Sequence, residues 1–293
     1  MPASLFVVST PIGNLDDITL RALATLKSVS LIAAEDTRRT STLLRHFGIT
    51  TPATSLHEHN ERQKLPQLLQ KLKDGQDIAL VSDAGTPLVA DPGQRLISAA
   101  IEVGIKIIPI PGPSAVLAAM SVSGFPADDF VFAGFAPSRS NDRLRWLEAF
   151  VNESRPVVFF EAPHRIHKTL TDLPVVLGER PITLCRELTK LHEEVIRTST
   201  TKASLLQVLD KGEFTLVIGP KPAIAGVKSE AVDDEEIARH FYRLTKTDGL
   251  MRRVALTQTA RKFGLSTKYV YRAIEKLKAA GRRLDPDDGI LLP

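Results

Sequence analysis

Along the first third of the chain, runs of four or five apolar residues recur, each closed by small or charged residues. Residues 5–8, 31–34, 78–81 and 106–110 are too short for helices and lack strict alternation, so they predict strands, buried at 5–8 and 78–81. Helical patterns separate them. Residues 19–27, the set Thr42, Leu43, Leu44 and Phe47 closed by Gly48, residues 64–73 stopped by Gly75, and residues 92–103 each place apolar groups on one face. Asp91 and Pro92 read as N-cap and first position of the last of these, a structural assignment. The βα alternation predicts a parallel, doubly wound sheet within an N-terminal α/β domain, residues 1–112.

Beyond the Pro111-Gly112-Pro113 hinge, a helix of small residues (115–123) opens a second α/β domain, residues 113–219. Its predicted strands are 130–133, 157–161, 182–187, 195–198 and 214–218, and its predicted helices 141–151, 165–173 and 202–209. The short connection between 182–187 and 195–198 suggests antiparallel neighbours. Residues 220–234 have linker chemistry. In the remaining stretch, residues 235–293, three helices are expected at 235–244, 253–263 and 267–277. Ala260, Gly264 and Val270 have helix-turn-helix spacing, which suits nucleic-acid contact and plain bundle packing alike.

Composition narrows the class. A chain of 293 residues with 43% hydrophobic and 25% charged residues suits a soluble protein of two or three domains. No run approaches the roughly 18 apolar residues of a membrane span, and Met1-Pro2-Ala3-Ser4 lacks a basic leader, so a cytosolic location is expected. Cys185 stands alone, which excludes an internal disulfide and a Cys-based zinc cluster. The net charge of +4 is unevenly spread. Residues 252–283 hold ten bases against one acid, +9, which leaves −5 for the rest and points to a polyanionic partner at the C-terminal end.

Candidate chemistry concentrates where strands stop. Thr10-Pro11-Ile12-Gly13-Asn14, Glu35-Asp36-Thr37-Arg38, Ser82-Asp83-Ala84-Gly85-Thr86-Pro87, Pro111-Gly112-Pro113-Ser114 and Arg186-Glu187-Leu188-Thr189-Lys190 could together line one cleft. Asp83 stands out because Gly85 and Pro87 hold it in a loop. Neither Gly-x-Gly-x-x-Gly, a Walker A loop nor a Gly-x-Ser-x-Gly elbow is present. His57-Glu58-His59 lacks a third ligand and reads as a solvated loop, and no metal is expected.

With Leu15, Asp17 and Thr19 extending the first motif and Leu80-Val81 leading into the third, these motifs in this order resemble the tetrapyrrole (corrin/porphyrin) methylase superfamily. Within it the chain resembles the ribosomal RNA small subunit methyltransferase I family, over about residues 5–219 and more loosely beyond. The resemblance implies a fold of two α/β domains with a C-terminal helical extension. It also implies S-adenosylmethionine in the interdomain cleft, methyl transfer to a cytidine 2′-hydroxyl in 16S rRNA, and a homodimer. Carried over by motif, the expected cofactor contacts are Pro11, Asp83, Gly85, Leu88, Ser114 and Ala115; Phe160, Leu188, Phe214 and Thr215 follow from strand alignment. Asp36, Glu187 and Lys190 are the expected catalytic residues, with Asp83 a further candidate proton acceptor. RNA contact is expected from Arg38, Arg186, Arg261, Lys262, Lys268 and Arg272. Arg186, Glu187 and Lys190 also read as a surface ion-pair cluster. One position departs: Asp210-Lys211-Gly212-Glu213 stands where the family pattern leads us to expect Arg-Lys-Gly-Glu. Methylation of a small tetrapyrrole and a ligand-sensing DNA-binding regulator are the alternative functions.

Overall fold

The computed structural model describes residues 3–221, 234–247, 249–263, 265 and 267–279. Contacts divide the chain into a compact unit Met1–Pro222 and a second, Ala223–Pro293.

The first unit is built on two five-stranded sheets. Strands β1 (Ser4–Val8), β2 (Leu31–Ala34), β3 (Ala53–Ser55), β4 (Ile78–Val81) and β5 (Lys106–Ile110) form a parallel sheet in the order β3-β2-β4-β1-β5. Helices α1 (Leu20–Ser28), α2 (Thr37–His46), α3 (Glu61–Lys73) and α4 (Gln94–Glu102) connect them. Because helices cover the sheet, all four residues of β4 are buried, as its unbroken apolar run requires. Ala79 and Val81 join one core cluster, Ile78 and Leu80 another.

Helix α5 (Ala115–Ser123) leads into the second sheet, with Val116, Ala119 and Met120 packed against Val158, Cys185 and Val217. That sheet has the order β6-β7-β10-β8-β9, from β6 (Val131–Phe135), β7 (Val157–Glu161), β8 (Pro181–Arg186), β9 (Glu194–Ser199) and β10 (Phe214–Ile218). Only the β6/β7 pair is parallel, and β8 and β9 are antiparallel as their short connection suggested. Helices α6 (Ser140–Glu148), α7 (Ile166–Leu177) and the single turn α8 (Thr200–Ala203) complete the unit.

Three local expectations need correction, and one strand was not expected. The fourth helix starts at Gln94, capped by Gly93 at φ +116°, so Asp91 and Pro92 belong to the preceding loop. A Cβ at Gly93 would lie 2.8 Å from Leu80, which explains glycine where the chain doubles back over β4. The helix expected at 202–209 is one turn, because Ala203 and Val208, five residues apart, are its buried positions while Leu205 and Leu209 face solvent. The helix after β2 begins at Thr37, so Arg38 and Arg39 lie in its first turn. The edge strand β3, preceded by Thr51-Pro52, is too short and polar to show a hydrophobic pattern. His57 and His59 lie in the loop between β3 and α3.

In the second unit, α9 (Asp234–Tyr242), α10 (Arg252–Phe263) and α11 (Thr267–Ala279) enclose a core that includes Ile237, Phe241, Ala260, Val270 and Ile274. Gly264 lies outside the described residues, as does nearly all of the expected linker 220–234. No helix among the described residues is long and apolar enough to cross a membrane.

Candidate active site

The loops that leave β1, β2, β4 and β5 are tied to one another above the carboxyl edge of the first sheet. Thr10 and Gly85 exchange backbone hydrogen bonds of 2.8 and 3.0 Å, and the Thr86 hydroxyl donates to the Pro113 carbonyl at 3.2 Å. Ser9 and Thr86 hydroxyls lie 3.0 Å apart. Gly85 has φ +79°, and a Cβ there would meet Ile12 at 3.3 Å, so the tight approach of these loops depends on glycine.

Between these loops and the second sheet lies a cavity of about 360 Å³. Of the expected cofactor contacts, Asp83, Gly85, Ser114, Ala115, Phe160, Leu188, Phe214 and Thr215 line it; Pro11 and Leu88 do not. Phe160 and Thr215 are cross-strand partners on β7 and β10, which explains how residues so far apart in sequence reach one wall. Ser114 caps α5, accepting from the Leu117 amide. Glu161 is fully buried behind this wall. It accepts from Arg165, Thr169 and the Ala162 amide, which fixes the turn that brings Ala162 and Pro163 to the cavity.

The opposite wall is acidic. Glu35, Asp83 and Asp91 all line the cavity; sequence reasoning placed Glu35 in a cleft-lining loop without giving it a role of its own and treated Asp91 as a cap. Asp83 accepts from the Asp36 amide at 3.0 Å and lies 3.4 Å from the Arg39 guanidinium; Glu35 accepts from the Asp83 amide at 3.2 Å. Burial raises the Glu35 carboxyl, against the opposing Asp83 amide. Arg39, 65% exposed, stands at the rim. The signal for these positions was present: Asp36 as the N-cap puts Glu35 at the strand end and Arg39 in the first turn.

The other expected residues of the first unit are not among the cavity lining. Asp36 holds Arg38 through two side-chain hydrogen bonds, and Arg38 in turn keeps its carboxyl down at about 2, too acidic for a good proton acceptor. Glu187 accepts from the Lys190 ammonium at 2.8 Å and the Glu213 amide at 2.9 Å, and Lys190 also reaches the Glu213 carboxylate at 3.1 Å. Burial alone would raise the Glu187 carboxyl, but these two hydrogen bonds prevail and hold it below its ordinary range. Arg186, 11% exposed, donates to the Lys211 carbonyl. The departing 210–213 segment therefore serves through the Lys211 carbonyl, the Glu213 amide and the Glu213 carboxylate. Lys262, Lys268 and Arg272 are exposed on α10 and α11, and the Arg261 side chain lies outside the described residues. Among the described residues no group of three His, Cys, Asp or Glu could hold a metal ion.

The family model of tetrapyrrole (corrin/porphyrin) methylases matches residues 4–204. A ribosomal RNA small subunit methyltransferase I from Synechocystis sp. is 46% identical over 94% of this chain and 99% of its own length. That of Mesorhizobium japonicum is 42% identical over 94% and 92%. Among solved structures, a uroporphyrin-III-C-methyltransferase from Thermus thermophilus superposes with a TM-score of 0.55 at 18% identity, over 78% of this chain and 98% of its own. A diphthine synthase does so at 0.60 and 15%, over 74% and 90%; these two likenesses speak to the fold alone. Joined to the cavity at the sheet edge, relatives aligned over nearly their whole length place this chain in the ribosomal RNA small subunit methyltransferase I family of the tetrapyrrole methylases.

Proposed function

We propose that this methyltransferase transfers a methyl group from S-adenosylmethionine to the ribose 2′-hydroxyl of a cytidine in 16S rRNA, acting as a cytoplasmic homodimer on the small ribosomal subunit. The observation that carries the reading is the cavity itself, with one apolar and one acidic wall, in a chain whose full-length relatives bear the rRNA methyltransferase name. The cavity chemistry suits the donor. Ile12, Val116, Phe160, Leu188 and Phe214 offer an apolar surface for a purine, and Glu35 and Asp83 favour a cationic sulfonium or ammonium. Gly85 keeps open the space that a side chain would fill.

When bound, S-adenosylmethionine supplies a methyl group already activated on a sulfonium. The protein supplies orientation and a dry environment, which suits in-line attack by an oxygen. Arg39 at the rim and Lys190 beside the cavity are placed for phosphates that flank the target ribose. Glu187 and Lys190 also hold the turn that presents Leu188. Alanine at Glu187 or Lys190 is therefore expected to lower turnover at least about tenfold, as for one lost oriented charged contact, while calorimetric affinity for S-adenosylmethionine changes less than about threefold. Parallel losses in both quantities would instead put Glu187 and Lys190 themselves in the donor site.

The basic residues of α10 and α11 favour RNA over a small tetrapyrrole as acceptor. Incubation with methyl-labelled S-adenosylmethionine and small ribosomal subunits, deproteinised 16S rRNA, a uroporphyrin-type tetrapyrrole or duplex DNA decides between the readings. Label is expected in 16S rRNA. Label confined to the tetrapyrrole, or sequence-specific DNA binding without transfer, would contradict the proposal.

A further inference from the structure

We infer that Asp91 is the group that accepts the 2′-hydroxyl proton during methyl transfer, an assignment that rests on the ribose-methylation reading above. The other carboxylates around the cavity are already engaged. Asp83 is held by the Asp36 amide and Arg39, and Glu35 by the Asp83 amide. Glu161 is saturated by Arg165, Thr169 and a backbone amide, and Glu213 is paired with Lys190. Asp91 also lines the cavity, yet among the described residues it forms no ion pair and accepts from no backbone amide, and the nearby Ser82 hydroxyl donates to the Ala84 carbonyl at 3.3 Å.

Backbone geometry supports the same residue. Leu88 at φ +74° and Ala90 at φ +66° are non-glycine residues in the left-handed region, as are Glu187 and Thr189, so the loop that carries Asp91 is held in a conformation that side chains rarely adopt. Such strain persists where the surrounding structure fixes it, here through Gly93 packed on Leu80. Burial, opposed by the Ser82 hydroxyl and reinforced by the charges of Glu35 and Asp83, pushes the Asp91 carboxyl up to about 6. A carboxylate of that basicity is ionised at neutral pH and remains a useful proton acceptor. In the step, the O2′–methyl bond forms as the methyl–sulfur bond breaks. Its electron pair stays on sulfur as a neutral thioether, and the O2′ proton passes to the Asp91 carboxylate.

Asp91→Asn tests this with one activity readout and one in the protein alone. Turnover at pH 7.5 is expected to fall about 10²- to 10⁴-fold, the usual range for a lost general base, with calorimetric S-adenosylmethionine affinity changed less than about threefold. Without donor or RNA, the sign follows from linkage. A carboxyl whose folded value is raised favours the fold only while protonated, so its ionisation costs stability as pH rises from the ordinary 3.8 through about 6. Asp91→Asn is thus expected to raise Tm at pH 7.5 and to lose that gain by pH 4; Asp91→Ser gives the same comparison should the amide fail to fold. Turnover within about threefold of the parent, or a Tm difference independent of pH, overturns the assignment. The parent is assayed first: absence of 2′-O-methylcytidine there overturns the ribose reading as well, whereas comparable amounts from parent and variant overturn Asp91 alone.

Discussion

Gly85→Val is expected to abolish S-adenosylmethionine binding while the chain stays folded. The site needs φ +79°, a conformation that a β-branched residue adopts only under strain, and the new side chain would begin 3.3 Å from Ile12 at the cavity wall. The strain falls on the loop bridge to Thr10 and leaves the buried strands β1 and β4 intact. At a strain of about 1–3 kcal/mol, and roughly 2–4 °C of Tm per kcal/mol for a domain of 150–250 residues, thermal unfolding should remain cooperative and shift by several degrees. Asp83→Ala acts on the same place by another route, removing the acceptor of the Asp36 amide and the partner of Arg39. Each variant should weaken binding at least about 100-fold, or ~2.8 kcal/mol at 1.4 kcal/mol per decade. Calorimetry with both folded variants checks this, and unchanged affinity would place the donor elsewhere.

The second large effect is expected on removing residues 235–293. The +9 segment of residues 252–283 lies within the deleted part, and what remains is acidic on balance. Contacts of those bases with phosphates release counterions, so RNA binding should weaken and its dependence on salt should flatten. If six of the ten bases touch RNA, the slope of log affinity against log salt changes by roughly 4 to 5 units, at about 0.7 to 0.9 per phosphate. Binding of S-adenosylmethionine should survive, because the cavity is lined entirely by residues of the first compact unit. Titrating full-length and truncated protein against 16S rRNA at several salt concentrations checks the slope. A soluble truncation with an unchanged slope would show that these helices only pack, and aggregation would show that they cover apolar surface.

What the sequence revealed follows from burial. Ile78–Val81, Val157–Glu161 and Phe214–Ile218 were legible because interior strands covered on both faces are almost wholly apolar, and such runs have sharp ends. Ala53–Ser55 was not, since a short edge strand is held by backbone hydrogen bonds to which its side chains add no pattern. The candidate site divides in the same way. Motif positions such as Asp83 and Gly85 and strand positions such as Phe160 and Thr215 converge on one cavity because each sits at the end of a legible strand. Asp91 escaped because Asp-Pro-Gly imitates a helix start, and the left-handed turns at Leu88 and Ala90 that carry it into the cavity leave no mark on residue type. Arg39 was passed over for Arg38 because one residue of helix start decides which of two neighbouring guanidiniums faces Asp83.

The central claim is that the methyl group lands on a ribose oxygen of a cytidine in 16S rRNA. It is tested most directly by methylating small ribosomal subunits with labelled S-adenosylmethionine, hydrolysing the rRNA with alkali and digesting the resistant fraction to nucleosides. A 2′-O-methyl blocks the hydroxyl that alkaline cleavage requires, so the account predicts label in an alkali-stable dinucleotide that yields 2′-O-methylcytidine. Label released as an ordinary mononucleotide carrying a base-methylated nucleoside would contradict it.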